Sequence, residues 1–201
     1  MNPIVVCADI GSVAQEKFAW LAEDGKEGTR LTTLAEHVAE LLNDKHTVAL
    51  GFECPLFIPL WDEELNITSA RPGEGNRPWS AGARCTLLAS GLTEVAWVLR
   101  SVRGRLSTPT RAYLDWDAFA KAGSGLLIWE ALVSGSGKGR DHIEDARAGV
   151  EAFRRTLPTP QSSLEVGGPL EIYSLIGAAL LRTGWSTDFR LLSMPCLLIK
   201  A

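Results

Sequence analysis

Two carboxylates in this chain close apolar runs. Asp9 ends the stretch that begins Ile4-Val5-Val6, and Glu53 follows the run from His46 to Phe52. A carboxylate at the end of a buried strand loses water as its neighbours pack, which is costly unless it has a partner or chemistry to perform. If the two strands are parallel neighbours, the acids come close together and their repulsion calls for a cation. Hard oxygen ligands of this kind suit Mg²⁺ or Mn²⁺, which polarise a phosphodiester and activate water for in-line displacement. A third group lies at Asp141-His142-Ile143-Glu144-Asp145-Ala146. On a helix, Asp141 and Asp145 share a face, as do His142 and Asp145, while Glu144 points elsewhere, toward solvent. Helix-dipole compensation alone accounts for Asp141 and Glu144, but less well for Asp145. The expected metal ligands are therefore Asp9, Glu53 and Asp145, with Asp141 and Glu130 as further candidates. Glu130 either completes the cluster or pairs with a nearby arginine. His142, a residue type that accepts protons near neutral pH, is the candidate to position or deprotonate the attacking water.

These residues need particular elements beneath them. The β-branched run Ile4 to Ile10, bounded by Gly11, reads as a buried central strand. Alternation over Lys17 to Ala22 gives a second strand, Asp24-Gly25 a hairpin turn, and Thr29 to Leu31 a short third strand. Thr32 or Thr33 is placed to cap a helix carrying Leu34, Val38, Leu41 and Leu42, which crosses to a fourth strand over His46 to Phe52 parallel to the first. Helical spacing returns over Arg84 to Arg103 and over Tyr113 to Lys121, a fifth strand is expected at Leu126 to Leu132, and a helix from Asp141 to about Thr156. The order is three strands, helix, strand, helix, strand, helix. Residues 158–201 form a C-terminal extension with a helix near Glu171 to Arg182 and an apolar ending, Cys196 to Ile199, suited to an edge strand or a dimer contact.

Residues 54–83 carry four prolines and the pair Pro78-Trp79 and read as one long functional loop. From Asn66 to Arg111 seven arginines face two acids, a local basic excess in a chain whose net charge is -4. Arg77, Trp79 and Arg84 are the expected contacts to a nucleic acid or other phosphate-bearing ligand. Lys138 and Arg140, beside the Gly/Ser-rich segment 134–139, are able to touch phosphate too. Gly135-Ser136-Gly137-Lys138-Gly139 is no Walker motif, because position 132 is Leu and Lys138 is followed by Gly. At 201 residues, 46% hydrophobic and 22% charged, the composition is that of one globular domain, 1–201. The four cysteines are scattered without metal-ligand spacing, so reduced thiols are expected. With no leader-like segment after Met1, the expected location is cytoplasmic and no membrane partner is expected.

Several short motifs in order resemble the ribonuclease H-like superfamily, in particular its predicted nucleases of uncharacterised function. Ala8-Asp9-Ile10-Gly11 is similar to the family's first-strand aspartate, Gly51-Phe52-Glu53-Cys54-Pro55-Leu56 to its fourth-strand acid followed by proline, and Trp129-Glu130 to its fifth-strand glutamate. His142-Ile143-Glu144-Asp145-Ala146 resembles the closing-helix motif of bacterial Holliday junction resolvases, whose corresponding positions help hold metal. The resemblance spans residues 4 to about 155. It implies a three-layer α/β fold with a five-stranded mixed sheet in the order 3-2-1-4-5 flanked by helices, and a metal-dependent nuclease. Glu53 stands where many of these nucleases have Asp, and the long loop has no counterpart. Asp9-Ile10-Gly11-Ser12 also resembles the phosphate loop of actin-like ATPases and sugar kinases, which duplicate the domain; 201 residues hold one copy. A catalytically silent module that uses the Pro/Trp/Arg loop to bind a partner is the alternative of a different class. Neither substrate nor oligomeric state is written in the sequence.

Overall fold

The structure, a computed structural model, describes residues 2–75, 78–133, 138–164 and 171–201. Strand β1 (Ile4–Asp9) is the reference for the sheet. It pairs antiparallel with β2 (Ala19–Ala22), which pairs antiparallel with β3 (Glu27–Gly28). The β2-β3 turn uses Gly25 at φ +89, a conformation that favours glycine, and the Asp24 side chain accepts from the Lys26 amide at 3.1 Å. Helix α1 (Leu31–Asn43) crosses to β4 (Val48–Glu53), which runs parallel to β1 with Asp9 opposite Glu53. After β5 (Phe57–Leu60) and α2 (Gly82–Arg103) come β6 (Ala112–Tyr113), α3 (Trp116–Ala122) and β7 (Leu126–Leu132), the last parallel to β4. Helix α4 (His142–Thr156) follows, then β8 (Glu171–Ser174), α5 (Leu175–Arg182) and β9 (Leu197–Lys200).

The result is an α/β architecture around a mixed seven-stranded sheet, in the order β3-β2-β1-β4-β7-β6. Strand β9 also pairs with β7, so β6 covers the first half of the outer edge of β7 and β9 the second half. The order 3-2-1-4 and the next long parallel strand are as expected, although β3 lies at Glu27–Gly28 rather than at Thr29 to Leu31; the sheet has seven strands rather than five because the short β6 and the C-terminal β9 both pair with β7.

The apolar core divides by the face of the sheet. Val6, Ala8, Leu50, Phe52 and Ile128 pack toward α1 and α2, while Val5, Cys7, Ala49, Trp129 and Ala131 pack toward α3 and α4. Side chains alternate between faces along a strand. Asp9, two residues after Cys7, therefore turns to the α4 face, and so does Glu53, which pairs with it. Glu130 pairs with Phe52 and turns to the α2 face. Helix α4 reaches the sheet closely because Gly149 meets β1 without a side chain: a Cβ there would stand 2.5 Å from Cys7 Sγ.

Several local expectations are corrected. Helix α1 begins at Leu31 after Arg30, with no side-chain cap; Thr33 Oγ1 instead donates to the Arg30 carbonyl and accepts from Trp20 Nε1. Residues 113–121 divide into β6 and α3, and residues 171–182 into β8 and α5. The segment 54–83 is not wholly loop, since β5 pairs antiparallel with β8 as a separate two-stranded sheet. Among the described residues α2 alone is long and apolar enough in composition to cross a membrane; its Val95, Val98, Leu99 and Val102 are buried in the core beside α1 and α5.

Candidate functional site

Helix α4 starts where the sheet needs it. Asp141 is its N-cap, accepting from the Glu144 amide at 2.9 Å, and Glu144 in turn accepts from the Arg140 amide at 2.6 Å. Asp141 thus serves the helix rather than the acid cluster, correcting its candidacy as a ligand, and Glu144 folds back on the backbone. One residue into the helix His142 faces β1, and one turn on Asp145 does the same. Ligand atoms of Asp9, His142 and Asp145 all lie within 4.8 Å of one another. His142 Nδ1 is 2.5 Å from Asp9 Oδ2.

Glu53 stands beside this trio through its register with Asp9. Its side chain is 5% exposed, and its Oε2 has no hydrogen-bond partner among the described residues. Lys138 reaches in from the loop before α4. Its Nζ is 3.0 Å from Asp145 Oδ2 and 3.6 Å from Glu53 Oε1, while the Gly139 amide donates to Asp145 Oδ1 at 2.6 Å. The lysine side chain is 48% exposed, so one half-solvated ammonium offsets several buried acids.

Crowding of negative charge in a dry place shows in the titration of the pair. Burial pushes Asp9 up to about 6, opposed by its hydrogen bond with Glu53 and by Lys138. Burial and the Asp9 charge push Glu53 up to about 9, again opposed by Lys138. A fourth acid belongs to the neighbourhood. Glu94, on α2, is raised to about 7 by burial against the pull of the Gly11 amide, and its charge adds to the upward shift of Asp9. Sequence reasoning missed Glu94; the available signal was one acid inside the apolar stretch from Leu87 to Leu99.

Glu130 does not join the cluster. It lies fully buried on the other face, held bidentately by Arg71 at 2.7 and 2.8 Å, by Arg84 at 3.0 Å and by the Leu56 amide at 2.9 Å. Glu74 completes the network, 2.9 Å from Arg71 and 3.1 Å from Arg84. The Arg71 guanidinium lies over the Phe57 ring. Part of the basic excess is therefore a neutralised anchor tying 54–83 to the sheet, and Arg71 was invisible as such in the sequence.

The remaining expected contacts separate. Arg84 is engaged with those acids but also lines a cleft of about 570 Å³ with Glu53, Lys138 and Lys200. Trp79 is half-buried and donates to the Ser69 carbonyl at 3.1 Å, which makes it a packing residue of its loop. Arg140 is exposed. Arg77 lies outside the described residues.

Compared with protein-family models, with curated proteins and with solved structures, the chain matches none.

Proposed function

We propose that this chain is a divalent-metal-dependent phosphodiesterase acting on nucleic acid, on a ribonuclease H-like core. The observation that carries the reading is the convergence of Asp9, His142 and Asp145 within 4.8 Å, with the partnerless oxygen of Glu53 beside them. The strand order β3-β2-β1-β4-β7 supports the core that the sequence motifs suggested. The donor set also fits: carboxylate oxygens from two adjacent strand ends and one helix, without thiolate, suit Mg²⁺ or Mn²⁺. Asp9, Glu53 and Asp145 would hold the ion. When bound, it would polarise the scissile phosphate and lower the cost of ionising water.

The chain's own groups have separate tasks. Asp9 holds His142 through Nδ1, which fixes the ring and leaves Nε2 as the atom that takes a proton from water. Lys138 pairs with Asp145 and lies near Glu53 in the resting protein, and its half-exposed ammonium is placed to turn to a phosphate oxygen when substrate arrives. One observation favours a second reading. An ammonium already seated between two of the acids is what a catalytically silent binding module would retain in place of metal.

An assay on single-stranded, duplex and branched nucleic acids with Mg²⁺ or Mn²⁺ separates the two. The nuclease reading expects metal-dependent cleavage that disappears in Asp9→Asn and falls about 10²- to 10⁴-fold in His142→Ala, the usual worth of a positioned base. Cleavage of none of these substrates, or unchanged cleavage by Asp9→Asn, leaves the silent module.

A further inference from the structure

The turns that lead into β4, β6 and β7 meet at the edge of the sheet opposite Asp9 and Glu53. Val48 and Ala112 both pair with Leu126 at the starts of these parallel strands. The turns enclose a pocket of about 340 Å³, within the roughly 300–1,000 Å³ that holds one small ligand. The length of β4 separates it from the acid cluster by about 20 Å.

The pocket has one sign of charge. Lys45, His46 and Arg111 line it, and no Asp or Glu does. Among the described residues none of these three basic side chains is in an ion pair. The nearest acids in sequence, Asp44 and Asp115, are outside the lining, and Asp115 is occupied as the N-cap of α3, accepting from the Ala118 amide at 2.7 Å. Compensation of the α1 dipole accounts for basic residues just after that helix, Lys45 and His46, but not for Arg111, which comes from another segment.

The backbone of Lys45 is a second, independent feature. Its φ of +67 is a left-handed conformation that favours glycine and strains a lysine. The Lys45 amide donates to the Leu42 carbonyl at 3.1 Å and the His46 amide to the Leu41 carbonyl at 2.9 Å, a helix ending at which glycine is the usual residue. A lysine stands there instead, and its ammonium donates to Thr108 Oγ1 on the facing segment at 2.9 Å. Strain of this kind gathers at ligand sites. The walls are also fixed in advance. Asn43 accepts from the Ser107 amide at 2.8 Å and donates to the Arg105 carbonyl at 3.0 Å, which ties the end of α1 to the loop carrying Thr108 and Arg111. The Arg111 carbonyl accepts from the Leu126 amide at 3.0 Å, and Gly125 lies so close that a Cβ would stand 2.6 Å from that carbonyl oxygen. Segments held this way lower the ordering cost of binding.

We propose that this pocket binds a small organic phosphomonoester. Lys45, His46 and Arg111, with the hydroxyls of Thr108, Thr110 and Ser124, hold the dianionic phosphate, and the organic body lies against Leu42, Pro109 and Tyr113. The inference is independent of the metal-dependent reading of the acids. Sugar phosphates and nucleotides share this chemistry.

The test is calorimetric titration of the full chain in EDTA, so that no metal at the acid cluster contributes, with ribose 5-phosphate, AMP, adenosine, inorganic phosphate and a duplex oligonucleotide lacking terminal phosphates. The critical variants are Lys45→Gly and Arg111→Met. Glycine suits the left-handed position, so the melting temperature of Lys45→Gly is expected to be equal or higher and loss of binding is not a loss of folding. Expected are binding of ribose 5-phosphate or AMP, weaker binding of inorganic phosphate, none of adenosine, and at least tenfold weaker monoester binding in each variant. Ribose 5-phosphate binding as tightly as AMP identifies a sugar phosphate as the ligand; AMP binding more tightly identifies a nucleotide. No saturable binding of either monoester at millimolar concentration overturns the proposal, as does monoester binding that stays within tenfold of the wild type in either variant. Adenosine or inorganic phosphate binding as tightly as the monoesters also overturns it, and displacement of AMP by the unphosphorylated duplex replaces it with a site for the polynucleotide backbone.

Discussion

Lys138 is the single side chain on which the resting charge balance of the site turns. Its ammonium sits between Asp145 and Glu53 and opposes the upward shifts of Asp9 and Glu53. Because the side chain is half exposed, solvent screens the pairing, and removing it is expected to cost the metal-free protein only about 0–1 kcal/mol. The larger effect lies elsewhere. In Lys138→Met the acids lose their internal cation and depend on an external one, so the rise in melting temperature on adding Mn²⁺ should exceed that of the wild type. Thermal melts with and without Mn²⁺ check this; a metal response that shrinks or vanishes in Lys138→Met would show that the lysine helps hold the ion's site open rather than competing for it. Glu130 gives the opposite lesson about a strand-end acid. Its burial is compensated by two guanidinium groups and an amide, and nothing is left over for a ligand.

Helix α4 and its contact with β1 set the geometry of His142 and Asp145. Gly149 lies one turn beyond Asp145, and an alanine there would place its Cβ 2.5 Å from Cys7 Sγ and 3.3 Å from Cys7 Cβ. Overpacking against a central strand outweighs the better helix propensity of alanine, so Gly149→Ala is expected to lose about 1–2 kcal/mol. It should also lift the His142 end of the helix away from Asp9. The double variant Cys7→Ala/Gly149→Ala relieves the clash and should be more stable than Gly149→Ala alone in urea denaturation; equal stability would place the cost elsewhere. The elements that carry the site were legible because each has a strong local pattern. The β-branched run of β1, the apolar runs of β4 and β7 and the capped, amphipathic α4 all show in sequence, and β7 spans Leu126–Leu132 as expected. The face to which Glu130 turns was not legible. Strand β7 is buried on both sides, so its composition has no alternation to reveal parity. The β5-β8 pairing was hidden for another reason: Pro59 weakens the strand signal of β5, and its partner lies far along the chain. Glu94 and Arg71 were missed because a lone charge within a helix or loop reads as solvated until its burial is known.

Across the whole molecule, the raised carboxyl values of the site make folding depend on pH in an unusual direction. A carboxyl that holds its proton more tightly folded than unfolded stabilises the fold fully below the unfolded value, about 4, and loses that contribution as pH rises toward the folded value. Asp9 and Glu94, at about 6 and about 7, and Glu53, at about 9, place that loss between about pH 4 and pH 9. Without metal the melting temperature is therefore expected to fall from pH 5 to pH 9, and Glu53→Gln, which keeps the shape without the charge, should flatten the slope. An equally steep slope in Glu53→Gln would remove Glu53 as its source. A divalent cation should reverse the penalty, because it favours the ionised acids. The most direct measurement is thus the melting temperature of the wild type and Asp9→Asn at pH 8, titrated with Mn²⁺. Saturation at about 100 times the dissociation constant adds about 2.7 kcal/mol, which for a chain of this size raises the melting temperature by about 5–10 °C. The expected result is a rise of that order in the wild type and none in Asp9→Asn. No rise in the wild type, or the same rise in both proteins, would contradict a metal centre built on Asp9, Glu53 and Asp145.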